Sequence, residues 1–82
     1  MSEFIYLFNK GNTQFELYHN KFMNCHSIVS VLYRPSHTPL ILKLTRISEE
    51  EYAELKLALS NEDMGEVIRL ATEILEREED VM

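Results

Sequence analysis

His19, Cys25, His26 and His37 are the only histidine and cysteine side chains in this chain. Four such ligands are enough for a zinc ion, but structural zinc sites bring them as pairs separated by two to four residues. Here Cys25 and His26 are adjacent, so an extended backbone sends them to opposite faces, and neither a metal nor a cofactor is expected. A thiolate nucleophile at Cys25, assisted by His26 or His19, would need a neighbouring imidazolium and an oxyanion hole. Gly11 and Gly65 are the only glycines, which leaves no glycine-rich loop, nucleophile elbow or phosphate-binding fingerprint. The remaining chemistry-bearing groups are carboxylates, clustered at Glu49 to Glu54 and Glu76 to Asp80. Acid–base catalysis asks for two carboxyls in contrasting environments within a cleft, and a small two-layer domain has little room for one. No catalytic residue is nominated, and the chain is expected not to be an enzyme.

Charge is the stronger signal. The 82 residues carry a formal net charge of −6. Up to Ser48 five basic residues stand against two acids; from Glu49 onward three basic residues stand against twelve acids. Such asymmetry bears on partners rather than on fold. The basic half, with Lys10, Lys21, Arg34, Lys43 and Arg46 among Tyr6, Phe8, Tyr18 and Tyr33, suggests a nucleic-acid-associated protein that stacks bases on a sheet. Strand alternation, however, assigns most of those aromatics to the core, and the overall charge opposes phosphate, so nucleic acid is the lesser reading. The acidic half reads either as a solvated helix face or as a recognition surface. The second reading makes the protein a small acidic regulator or inhibitor that occupies a basic surface of a partner protein, imitating nucleic acid by closely spaced carboxylates. Its partner-binding residues would be Glu49, Glu50, Glu54, Leu57, Glu62, Glu66, Leu70 and Glu73. Leu57 lies opposite Tyr52, Leu55 and Leu59, and Leu70 lies off the main apolar stripe of its helix, so these leucines suggest a partner groove or a homodimer seam.

The elements that must position these groups divide at residue 48. Leu40, Leu42 and Leu44 alternate with Lys43 and Thr45 in a strand that runs into Ser48-Glu49-Glu50-Glu51, a capping-box pattern. Phe4 to Phe8 and Thr13 to Tyr18 form a hairpin with Lys10-Gly11 at its tip, which sets Tyr6 opposite Phe15 and Phe4 opposite Leu17. Val29, Val31 and Tyr33 pair with Leu44, Leu42 and Leu40 across the loop Pro35 to Pro39. For both hairpins to face one core, residue parity must switch between Leu17 and Val29, through a bulge or an irregular stretch in His19 to Ser27, with a short helical turn there as the competing reading. A helix starts at Glu49. A second, preceded by Ser60-Asn61-Glu62-Asp63, carries Met64, Val67, Ile68, Ala71, Ile74 and Leu75 at helical spacing and ends near Arg77 or Glu78, with its last acids frayed.

The expected fold is α+β: an antiparallel sheet of three to four strands in two hairpins, then two C-terminal helices packed on one face. Residues 1–82 form one domain, with residues 1–47 the sheet half and 48–82 the acidic helical half. The expected core is Phe4, Tyr6, Phe15, Leu17, Val29, Val31, Leu40, Leu42, Leu44, Leu55, Leu59, Val67, Ile68, Ala71 and Ile74. The apolar run Phe4 to Phe8 is too short for a signal-peptide core, no segment approaches the length of a membrane span, and one cysteine allows no internal disulfide. A cytoplasmic protein without a membrane partner is the resulting expectation.

Overall fold

The computed structural model describes residues 2–20 and 22–80. Strands β1 (Ser2–Lys10), β2 (Thr13–Asn20), β3 (Cys25–Leu32) and β4 (Leu40–Ile47) precede helices α1 (Glu49–Ser60) and α2 (Met64–Asp80). The strands make one antiparallel sheet in the order β1-β2-β3-β4, as short connections between sequential strands favour. This is the predicted α+β arrangement. Lys21 lies outside the described residues, as do the side chains of Glu78, Glu79 and Asp80; the α2 backbone runs through Asp80, past the end expected near Arg77 or Glu78.

Both helices cover the same sheet face, α1 against β3 and α2 against β1 and β4. The core between the layers consists of Leu7, Leu17, Ile28 and Ile47 from the sheet with Leu55, Ala58, Val67, Ala71 and Ile74 from the helices. Phe15 and Leu59 pack against it partly buried.

Register decides which sheet residues reach that core. Gly11 and Asn12, rather than Lys10 and Gly11, form the tip of the first hairpin: Lys10 faces Thr13, and Gly11 supplies a φ of 63° at the first turn position, as a type II′ turn requires. Tyr6 then faces Glu16 and Phe4 faces Tyr18, while Ile5 faces Leu17. A slip of one residue exchanges the faces of a strand, so Phe4 and Tyr6 point away from the helices. A bulge between Tyr6 and Phe8 admits Leu7 as an extra residue; Leu7 is fully buried, and Phe8 stacks on Phe15 at 4.7 Å between ring centroids.

The parity switch expected between Leu17 and Val29 does not occur. Asn20 Oδ1 accepts from the backbone N–H groups of Phe22 and Met23 at 3.0 and 3.3 Å, closing a short loop, and β2 pairs with β3 without interruption from Asn20–Cys25 to Thr13–Leu32. Leu17 therefore shares a row with Ile28, and Val29 and Val31 turn to the face away from the helices. Val29 does pair with Leu44 as predicted, but an irregularity after Ser30 shifts Val31 to Ile41 and Leu32 to Leu40. Phe4, Tyr6, Leu40, Leu42 and Leu44, all assigned to the core, are exposed, as is Ile68 on α2. Leu7, Ile28, Ile47 and Ala58 take their places.

The helix starts follow local chemistry. The Glu51 N–H donates to Ser48 Oγ at 3.1 Å, and Glu51 Oε1 accepts from the Ser48 N–H at 2.8 Å, completing the capping box. Ser60 ends α1 instead of capping α2. Asp63 takes that role, accepting from the Glu66 N–H at 3.2 Å. Between them the Asp63 N–H donates to Ala58 O and the Glu62 N–H to Leu59 O, the paired bonds of a Schellman motif, with Glu62 in the left-handed region at φ 56°. Among the described residues no helix is long and apolar enough to cross a membrane.

Candidate functional site

The carboxylates of the helical layer separate into neutralised and free groups. Glu51 serves the cap and also accepts from Arg77 Nη1 at 2.6 Å; that hydrogen bond, opposed by partial burial, holds its carboxyl below the ordinary range. Arg69 ties together Glu66 and Glu73 on α2, and its hydrogen bond lowers the Glu66 carboxyl in the same way. Lys56 lies 3.9 Å from Glu3. Among the described residues Glu49, Glu50, Glu54 and Glu62 are exposed and have no ion-pair partner.

Glu50, Glu54 and Leu57 fall at i, i+4 and i+7 on α1, which places them along one ridge. Leu57, at its C-terminal end, is 63% exposed. Glu54, Leu57, Glu66 and Leu70 line a shallow groove between the helices, which Leu70 and Glu73 continue toward Arg77. Five of the eight predicted partner-binding residues thus converge. Glu49 and Glu50 stand at the start of α1, and Glu62 sits in the turn. Leu70 is half-buried against the core, so its off-stripe position reflects packing beneath the groove.

A second cluster escaped the sequence reading. His19 and His26 are cross-strand partners, their Nδ1 atoms 2.9 Å apart, and His26 stacks on Tyr52 of α1 with centroids at 3.9 Å. One Nδ1 donates and the other accepts, so both cannot carry a proton at that contact. Burial, then the adjacent His19, hold His26 below the usual imidazole pKa, against the opposing Glu49 carboxylate. His26 Nε2 is buried without a hydrogen-bond partner among the described residues. With Asn24, Glu49 and Glu50 these rings line a shallow hollow. Cys25 points to the other face of β3, and among the described residues no three His, Cys, Asp or Glu side chains converge to hold a metal ion. Uninterrupted β2–β3 pairing was the signal that would have matched His19 with His26.

The third surface is the sheet face opposite the helices. Phe4 and Tyr18, Tyr6 and Glu16, Val29 and Leu44, and Val31 and Ile41 are paired across it, and Phe4 lies against Tyr18 at 4.7 Å. The strand basic residues do not gather there. Lys10 and Lys43 line a cleft under α2 with Phe8, Phe15, Thr72 and Glu76, and only Arg46, opposite Ser27, shares the open face. Comparison with protein families, curated proteins and solved structures finds no match to this chain.

Proposed function

We propose that this protein is a non-enzymatic binding module, a small acidic regulator or inhibitor whose α1 ridge occupies a basic surface of a partner protein. The observation that carries the proposal is the set of carboxylates without an ion-pair partner among the described residues, Glu49, Glu50, Glu54 and Glu62, of which Glu50 and Glu54 share a ridge with the exposed Leu57, while the arginines of the helical layer are committed to Glu51, Glu66 and Glu73. Free charges at a rim steer association and select a partner of opposite sign, and an apolar residue among them supplies burial that charge alone does not. Affinity capture from lysate with the wild-type chain and with a variant in which these four glutamates are changed to lysine tests it. Loss of the captured partner with an unchanged circular dichroism spectrum is expected; a partner retained by the variant overturns the proposal.

Nucleic-acid association is the lesser reading. Phe4, Tyr6 and Tyr18 do lie on the open sheet face and offer rings for stacking. Yet Arg46 alone among the strand cations accompanies them, too small an electrostatic footprint for a phosphate backbone. A gel shift with single-stranded oligonucleotide at low salt is expected to show no complex.

A further inference from the structure

We infer that the open sheet face is a self-association surface, on which a second copy of this chain packs face to face so that two four-stranded sheets form a sandwich with the helices outside. This interface is independent of the acidic ridge on α1, which lies on the opposite layer.

The face mixes polar residues with large apolar ones that a solvated face ordinarily replaces by polar side chains. Phe4 is 58% exposed, Tyr6 53%, Ile41 64% and Leu44 53%, whereas Val29 and Val31 between them are buried. Tyr33 stands at its end, its hydroxyl 3.2 Å from Glu16. At such exposures each large side chain offers on the order of 100 Å². Together they present roughly 500 Å² of apolar surface, carried on the two edge strands either side of Glu16 and the buried valines; with its polar members the face approaches the ~800 Å² per partner of a standard interface.

Charge identifies the occupant. Among the described residues the face holds one carboxylate and one guanidinium, Glu16 and Arg46. Gln14 and Tyr33 both bond Glu16 Oε2, leaving Oε1 without a partner among the described residues. Arg46 is exposed and makes no ion pair among the described residues. A two-fold interface brings each patch against itself, so one unused charge of each sign is what such a face can satisfy twice, Arg46 meeting the partner's Glu16 and the reverse. A polyanion would find one cation beside a carboxylate. The arrangement also places both acidic helical layers on the outside, a sheet sandwich apart, where their like charges are widely separated and screened.

Sedimentation equilibrium of the full chain tests this. The wild-type chain is expected to form a concentration-dependent dimer. Tyr6→Lys with Leu44→Lys, two exposed positions, is expected to remain monomeric with an unchanged circular dichroism spectrum. Arg46→Glu and Glu16→Arg are each expected to weaken association about tenfold, and an equimolar mixture of the two to recover it as a heterodimer. Recovery on mixing separates a contact between chains from a structural role within one chain. The inference is overturned if the wild-type chain stays monomeric at millimolar concentration, if the dimer survives the lysine substitutions, or if the mixture is no tighter than its components. It is also overturned if single-stranded oligonucleotide binds the face at about 50 mM salt.

Discussion

At the scale of single residues, Thr45 and His26 each bury a polar atom that finds no hydrogen-bond partner among the described residues. Thr45 is 1% exposed in the row shared with Leu17 and Ile28, so its hydroxyl has lost water without gaining a protein acceptor. A buried unpaired group costs about 1–3 kcal/mol, and valine keeps the volume while removing it. Thr45→Val is therefore expected to stabilise the fold by about 1 kcal/mol, seen as a melting temperature higher by about 4–8 °C. His26 gives a pH dependence of definite sign. Its folded pKa lies below the ordinary 6.5, so the unfolded chain binds the proton more readily. Its contribution is fully present above about pH 6.5 and is lost as pH falls from there toward the folded pKa. Thermal melts should show stability falling across that window, and His26→Phe, which keeps a ring against Tyr52, should flatten it. Glu51, held low by Arg77, acts separately: its contribution is lost only as pH falls below its ordinary 4.5.

At the scale of elements, the join between α1 and α2 has its glycine in the wrong place. Glu62 adopts φ 56° at the site where glycine ordinarily ends a helix, whereas Gly65 sits in the first turn of α2. A Cβ added to Gly65 would meet only Asp63 Oδ1, at 3.6 Å, an ordinary contact, so no close packing requires glycine there. Gly65→Ala is expected to stabilise by about 0.5–1 kcal/mol and Glu62→Gly by up to about 1 kcal/mol, measured by urea denaturation with the slope unchanged. A destabilised Gly65→Ala would mean that the turn needs glycine's freedom. The Ser48 cap was legible because it depends on residues three apart. The cap of α2 was less so: Ser60 and Asp63 both suit the role, and the length of the Schellman turn, visible only once Leu59 and Ala58 accept its N–H groups, decides for Asp63.

At the scale of the whole molecule, the acidic helical layer governs the response to salt. Its ion pairs are largely exposed and worth little individually, while Glu49, Glu50, Glu54 and Glu62 repel without compensation. Raising ionic strength from about 10 mM to 150 mM shortens the screening length from roughly 30 to 8 Å, so the melting temperature is expected to rise; a fall would show that the ion pairs dominate. The order of elements, their type, the division of charge and the apolar stripe of α2 were all readable from residue types, because periodicity and capping are local. Which side of the sheet meets the helices was not. Ile5 and Leu7 compete with Phe4 and Tyr6 for the core, and all four are large and apolar. The hydrophobic pattern is therefore satisfied by either face, and the choice falls to a one-residue hairpin register, the Leu7 bulge and the unbroken β2–β3 ladder. Those features arise only when strands distant in sequence pair, so it was the tertiary structure that buried Leu7 and Ile28 and left Phe4, Tyr6 and Leu44 facing outward.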